Sequence, residues 1–153
     1  MNKILIVILA TVLGLSAQCF GFDLLKYRWG ESKDSVEARL KEEGRTLEET
    51  SAPELIVFVD NYAGSSRKVT LIFTPKSLGL AMLQIEWDDH QITRDALKTL
   101  KSRYGEPYKL DNYKLHYEWN GAFSQEKIVL DGNKLSIYGG DYYQQYLKEK
   151  SGI

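Results

Sequence analysis

The chain has 153 residues, of which 43% are hydrophobic and 27% are charged, and its formal net charge is −1. This size and balance are typical of one compact globular domain, or of two small halves that share a core. A near-neutral charge argues against nucleic acid as a partner, because binding to phosphates requires a basic face.

The N-terminus differs from the rest of the chain. After Lys3 an apolar run extends from Ile4 to Leu15, and the small and weakly polar stretch SAQCFG follows. Twelve helical residues reach about 18 Å, too short for the roughly 30 Å core of a bilayer. The pattern predicts a signal peptide over residues 1–21, cleaved after Gly21 or alternatively after Ala17. We therefore expect export to the periplasm or the medium, with no transmembrane span after cleavage; a buried helix or a retained anchor is the other interpretation.

Cys19 raises the separate question of lipidation. A bacterial lipoprotein carries a small residue just before its modified cysteine, but Gln18 occupies that position here, and Ser16 stands where an aliphatic residue is usual. We therefore expect Cys19 to remain unmodified. If Gly21 ends the leader, the mature chain 22–153 has no cysteine, so hydrophobic packing must hold it together in an oxidising compartment.

The first helix is predicted in SKDSVEARLKEEG. Ser32 is placed as its N-cap, where a hydroxyl accepts a hydrogen bond from a free backbone N–H group. Val36 and Leu40 give the helix one apolar edge, and Gly44 suits the position after its end, where φ is positive. Three strands, ELIVFVDNY, KVTLIFT and LAMLQIEW, follow with turn signals between them.

A second helix is predicted in TRDALKTLKSRYGEP, with Thr93 as its N-cap and Gly105 at its end. Three further strands are predicted in YKLHYEW, EKIVLD and KLSIYG, and the turn sequence DGN between the last two favours a tight hairpin. The chain closes with a short helix over residues 141–150, which Asp141 is able to cap.

The order of these elements is an internal repeat: a helix and three strands, then a helix and three strands, then a short helix. Each unit alone buries one face of a small sheet. We expect the two units to join into one antiparallel sheet with both helices on one side, an α+β fold. The halves cover about residues 27–88 and 89–140 of a single domain, 22–153, because no Pro-, Gly- or Ser-rich linker divides them.

Short motifs in both halves resemble those of the SmpA/BamE-like and β-lactamase-inhibitor-protein-like modules. Their helix entry carries a glycine, a hydroxyl residue and an aliphatic residue, which are Gly30, Ser32 and Val36 here. They also close a helix with Gly-x-Pro, as this chain does at 105–107, although Gln91 stands where the second entry glycine belongs. The resemblance implies a tandem αβββ fold and an envelope or secreted location, and it carries over no partner.

Catalytic and metal-binding patterns are weak. GESKD around Ser32 lacks the second glycine of a nucleophile elbow, and the only histidines available as a base are His90 and His116. Asp88, Asp89 and His90 do not have the spacing of a zinc ligand set. We expect no catalytic residue, no metal and no cofactor, and we interpret Ser32 as a helix cap.

The strand alternation leaves a mixed outer face on the predicted sheet. If Leu115, Tyr117 and Trp119 face the helices, residues of the opposite parity face away, and a face that mixes apolar, aromatic and polar groups suits a partner. Coverage by the tyrosine-rich terminal helix or by a second copy is the other interpretation, and a one-residue register error moves a strand to the other face. The candidate partner-binding residues are Ile56, Phe58, Ile72, Met82, His116, Glu118 and Tyr138.

These observations favour a non-catalytic exported module that binds a protein or a cell-envelope component through its sheet. A lipid-anchored envelope assembly factor is the alternative if Cys19 is modified. A small hydrolase that uses Ser32 or the region of Asp88 and His90 is a further alternative.

Overall fold

The computed structural model describes residues 27–62, 64–121 and 126–152, together with the backbone of 18–19 and 22–23. Over these residues the chain forms three helices and nine strands. The helices are α1 (Lys33–Glu42), α2 (His90–Tyr104) and α3 (Asp141–Ser151). The strands are β1 (Gln18–Cys19), β2 (Phe22–Asp23), β3 (Leu55–Tyr62), β4 (Ser65–Phe73), β5 (Leu80–Trp87), β6 (Lys109–Asp111), β7 (His116–Asn120), β8 (Glu126–Asp131) and β9 (Lys134–Gly139).

The predicted leader, residues 1–21, lies outside the described residues apart from the backbone of β1, which pairs antiparallel with β2. Both predicted cleavage sites, after Gly21 and after Ala17, and the side chain of Cys19 therefore also lie outside them. Among the residues that are described, no helix is long and apolar enough to cross a membrane.

Seven strands form one antiparallel sheet in the order β3-β4-β5-β9-β8-β7-β6. The first unit supplies β3 to β5, the second supplies β6 to β9, and the units join where β5 pairs with β9. The predicted α+β fold of two αβββ units in one sheet is confirmed. Strand β6 is additional to the prediction, because the chain reverses before His116 instead of running straight from Tyr113, and Leu115 takes a positive φ of 52° in that turn.

Helices α1 and α2 pack on the same face of the sheet. Helix α1 buries Val36 and Leu40 there, and α2 buries Ile92, Ala96 and Leu100. Burying an aliphatic side chain of this size contributes about 1.5–3 kcal/mol relative to leaving it in water. The strand residues of the same core are Ile56, Phe58, Val69, Leu71, Phe73, Leu80, Leu83, Ile85, Trp87, Tyr117, Trp119, Ile128, Leu130, Leu135 and Ile137.

Helix α1 begins and ends as its sequence predicts. The Ser32 hydroxyl accepts a hydrogen bond from the backbone N–H of Ser35 at 3.3 Å, which makes Ser32 the N-cap. At the other end Gly44 has a φ of 75°, and the N–H of Arg45 donates to the Leu40 carbonyl at 2.9 Å. This is the left-handed closure that favours glycine after a helix.

Helix α2 begins earlier than predicted, at His90, and its N-cap is Asp89. The Asp89 carboxylate accepts a hydrogen bond from the backbone N–H of Gln91 at 2.7 Å. Thr93 lies inside the first turn, where its hydroxyl accepts from the Trp87 indole N–H at 2.9 Å. The prediction that Thr93 is the cap is therefore wrong. Both residues have the chemistry of a cap, and the aspartate comes first along the chain.

Helix α3 packs on the other side of the sheet from α1 and α2. Its N-cap is Gly140, so Asp141 lies in the first turn and is not the cap. The ring of Tyr143 meets that of Tyr138, on the outer face, edge-on with 4.7 Å between centroids. Glu149 accepts a hydrogen bond from the backbone N–H of Lys76 at 2.6 Å, which ties the far end of α3 to the turn between β4 and β5.

Candidate interaction site

Two of the seven predicted partner-binding residues lie in the core. Ile56 pairs with Leu71, and Phe58 pairs with Val69, all on the face that carries α1 and α2. They are 3% and 1% exposed, and the prediction that they face outward is wrong. Strand β3 is apolar at successive positions, including Val57, so alternation does not determine which of its faces is turned inward.

Three further predicted residues form a row at one end of the outer face. Ile72 lies opposite Met82, and Met82 lies opposite Tyr138. Helix α3 lies over this end of the sheet, with Tyr143 against Tyr138, and Met82 is only 6% exposed. The tyrosine-rich terminal helix therefore covers apolar surface that the sequence left as a candidate for a partner.

The last two predicted residues, His116 and Glu118, come together in a set of polar side chains that we call the Glu118 cluster: Tyr108, Lys109, His116, Glu118 and Lys127. One oxygen of Glu118, Oε1, accepts from Lys109 Nζ and from His116 Nε2, both at 2.8 Å. The other, Oε2, accepts from the Tyr108 hydroxyl at 2.7 Å and lies 2.6 Å from Lys127 Nζ. Glu118 is 5% exposed, so a nearly buried carboxylate is satisfied by four donors.

The electrostatics of the cluster fix its charge state. Burial acts to raise the pKa of Glu118, but the hydrogen bonds from His116, Lys109, Lys127 and Tyr108 outweigh it and hold that pKa well below its usual range. The hydrogen bond to Glu118 raises the pKa of Tyr108 and also that of Lys127. Near neutral pH the carboxylate is charged while the phenol and the ammonium keep their protons, an arrangement suited to holding strands together.

The cluster fixes the edge of the sheet. Strand β6 lies at the end of the strand order, so one row of its backbone N–H and C=O groups faces away from the sheet. The backbone N–H of Tyr108 donates to the Glu118 carbonyl at 3.0 Å, and Lys109 lies opposite Glu118. In the turn that follows, Asp111 Oδ1 accepts from the N–H groups of Tyr113 and Lys114, both at 3.1 Å.

Exposed apolar side chains concentrate at this edge. Among the described residues, seven large hydrophobic side chains are exposed, and four of them lie within the eight residues from Tyr108 to Leu115. Tyr113 is 97% exposed at the tip of the turn. We call the segment Tyr108–Leu115 the β6 edge. Sequence reasoning missed it, although YKLDNYKL carries a signal: two Tyr-Lys-Leu runs flank an Asp-Asn turn.

The end of the outer face away from α3 carries alternating charges. Lys68 lies opposite Glu86, which lies opposite Lys134. Lys134 lies opposite Asp131, which lies opposite His116. Opposite charges on neighbouring strands stabilise a solvated sheet face, so this row has a structural explanation of its own.

Two of the residues considered for catalysis or metal binding, Ser32 and Asp89, have structural roles. The Ser32 hydroxyl caps α1. The Asp89 carboxylate caps α2 and also accepts from the Ser65 hydroxyl at 3.0 Å. Within residues 27–62, 64–121 and 126–152, no three His, Cys, Asp or Glu side chains are grouped so as to hold a metal ion.

Comparisons with known proteins add little to this description. No protein-family model matches the chain, and no curated protein matches it. A search of solved structures finds the crystal structure of a DUF4309 family protein, YjgB, from Bacillus subtilis, with a TM-score of 0.40 and 7% identity over 71% of this chain and 78% of that chain. The resemblance to SmpA/BamE-like modules finds no support in these comparisons and stays a prediction.

Proposed function

We propose that the protein is an exported, non-catalytic module that binds a protein partner through its β6 edge. The observation that carries the proposal is that, among the residues that the structure describes, four of the seven exposed large hydrophobic side chains lie in the segment Tyr108–Leu115. Tyrosine and leucine side chains exposed together are typical of surfaces that another protein covers.

The scaffold behind the edge supports a binding role. The Glu118 carboxylate accepts hydrogen bonds from Tyr108 and Lys109 at 2.7 and 2.8 Å. These bonds tie the start of the β6 edge to strand β7. The outward row of backbone groups on β6 is free to pair with an extended segment of another chain, which is a common mode of recognition. Backbone pairing gives affinity, and the side chains of the edge give selectivity.

We propose a non-catalytic role because two of the polar side chains considered for catalysis or metal binding are engaged in structural hydrogen bonds. The side chains of Ser32 and Asp89 accept hydrogen bonds from backbone N–H groups as helix N-caps. In the Glu118 cluster, the pKa of Glu118 is lowered and that of Tyr108 is raised. Neither group exchanges a proton near neutral pH, as a general acid or base must. Export rests on the leader pattern of residues 1–21.

Site-specific photocrosslinking tests the proposal. A photoreactive phenylalanine analogue replaces Tyr113, which is 97% exposed, in the chain made by its native host. The matched control replaces Lys98, an exposed residue of α2 outside the β6 edge. We expect a discrete protein adduct at position 113 and none at 98. No adduct at 113, or the same adducts at both positions, contradicts the proposal.

Intact mass of the mature protein from the same cells tests export. A chain that begins near Phe22 agrees with cleavage after Gly21. A chain that begins at Cys19 and carries acyl groups contradicts an unanchored module and indicates a lipid-anchored factor.

A further inference from the structure

The β6 edge is complementary to itself. Its strand is Lys109-Leu110-Asp111, a cation and an anion on either side of one apolar residue. We propose that the partner of the β6 edge is a second copy of this chain, paired with it antiparallel, strand to strand, across a two-fold axis at Leu110. This inference rests on the proposed function, because it names the partner of the same edge.

The two-fold arrangement matches charge with charge. In an antiparallel pair centred on Leu110, each Lys109 lies opposite Asp111 of the other copy, so two ion pairs form by symmetry. The Lys109 side chain is 61% exposed and bonds Glu118 Oε1 at 2.8 Å. An ammonium group has three hydrogen-bond donors, so Lys109 can keep Glu118 and also reach the second copy.

The same arrangement covers the apolar side chains of the edge. Leu110 lies opposite Tyr117 and therefore on the face of the sheet that carries the helices, where it is 50% exposed. In the proposed pair, Leu110 of the second copy lies directly beside it, and each leucine shields the other from water. Tyr113 lies in the turn that directly follows the strand, next to the paired edges.

Other ways of pairing this strand with itself are unfavourable. A parallel pair in register places Lys109 against Lys109 and Asp111 against Asp111, and like charges directly opposite repel each other. A one-residue slip brings Leu110 opposite a charged residue and separates the ion pairs. The charge pattern thus selects one register. Because the strand has three residues, the contact is small, and we expect a dimer that dissociates on dilution.

Cysteine crosslinking of the mature chain 22–153 tests the geometry. Cys19 is the single cysteine of the sequence, so a Leu110→Cys variant of the mature chain carries one thiol, which faces its own copy across the axis at a separation that a disulfide can bridge. The matched control is Val59→Cys on β3, the strand at the opposite end of the sheet, where the native side chain is 48% exposed against 50% for Leu110.

We expect Leu110→Cys to form a covalent dimer under mild oxidation at least tenfold faster than Val59→Cys. Equal rates for the two variants, or no dimer from Leu110→Cys, overturn the inference. Since a folded chain is required, circular dichroism of both variants precedes the comparison.

Sedimentation velocity of the unmodified mature chain gives a second test, without a thiol. We expect its mass to rise from one chain toward two between about 1 and 300 μM, a range typical of small contacts. Asp111→Lys, which sets lysine against lysine, is expected to weaken this association at least tenfold, whereas Asp141→Lys on α3 leaves it unchanged. A chain that is monomeric throughout, or equal effects of the two variants, overturns the inference.

The two proposals fail separately. If Leu110→Cys stays monomeric while the photocrosslinker at Tyr113 yields an adduct with a different protein, the second copy is excluded and the binding module stands. If position 113 yields no adduct and Leu110→Cys yields no dimer, both are overturned.

Discussion

Replacing Glu118 with glutamine is the sharpest test of the cluster that holds β6. The carboxylate accepts from four donors, whereas a glutamine amide accepts on one atom and presents an NH₂ donor on the other. Two of the four donors therefore lose their acceptor. A hydrogen bond to a charged group contributes about 1.5–3 kcal/mol.

The expected loss is smaller than the sum over two such bonds. The amide nitrogen replaces one oxygen, so the donors that lose their acceptor are either Lys109 and His116 or Tyr108 and Lys127. Each pair includes one lysine, whose side chain is 61% exposed at position 109 and 44% exposed at position 127, so water replaces much of what that lysine loses. We therefore expect Glu118→Gln to lower the free energy of unfolding by about 2 kcal/mol. For a chain of this size the melting temperature then falls by about 6–8 °C.

The direction of the Glu118 pKa shift determines how the stability lost in Glu118→Gln depends on pH. The folded-state pKa of Glu118 lies below its unfolded value of about 4.3. The contribution of the carboxylate is therefore full above the unfolded pKa and is lost as the pH falls toward the folded one. The difference in stability between the native chain and Glu118→Gln is expected to be constant near neutral pH and to narrow below about pH 4.

Urea unfolding followed by tryptophan fluorescence measures the loss in unfolding free energy and its dependence on pH. Trp119 is a suitable probe because it is buried one residue from Glu118. The matched control is Glu86→Gln, an exposed acid on the same outer face, which is expected to change stability by less than about 0.5 kcal/mol. Superimposable curves for the native chain and Glu118→Gln at pH 7 refute the reasoning. So does a difference that persists unchanged at pH 2.5.

Three further substitutions test the packing. Gly139→Ala places a methyl carbon 2.5 Å from Cε3 of the Trp29 ring, and a loss of about 1–3 kcal/mol in urea unfolding is expected; no loss contradicts this packing. Ser32→Ala removes the cap of α1 and is expected to cost about 1 kcal/mol without unfolding the chain, and a non-cooperative melt argues against a purely capping role. Tyr143→Ala removes the ring that meets Tyr138, so limited proteolysis is expected to cut α3 faster, whereas an unchanged rate contradicts docking through that ring.

The repeat and the core were predictable wherever one physical signal dominates. Strand β7 alternates strictly, with Tyr117 and Trp119 inward and Glu118 outward, and a period of two determines the face of such a strand. The ends of α1 follow from Ser32, the first residue with capping chemistry in the predicted helix segment, and from Gly44, which accepts the positive φ after the helix.

The face of strand β3 and the composition of the Glu118 cluster depend on contacts between residues that are distant in the sequence. Strand β3 is apolar on both faces, so its own sequence does not show that Phe58 faces the core. The pairing of Phe58 with Val69 does show it. The donors to Glu118 include Tyr108 and Lys127, ten positions before it and nine after it, and they converge because β6 and β8 flank β7. Local patterns do not encode which strands are neighbours, and so His116 and Glu118 could be named while the cluster around them could not.

The helix-entry motif and the proposed binding edge lie in different parts of the fold. Trp29 donates from its indole N–H to Glu126 at 3.0 Å, and the N–H of Gly30 donates to the Leu80 carbonyl at 2.8 Å, so this segment bridges the two repeats where β5 meets β9. Gly30 has a φ of 79° and lies against the ring of Tyr142, a position that a side chain would both strain and block. The residues of this motif therefore help to join the two halves and α3. The β6 edge lies three strands away from β9, so substitutions there are expected to change association while this junction keeps the chain folded.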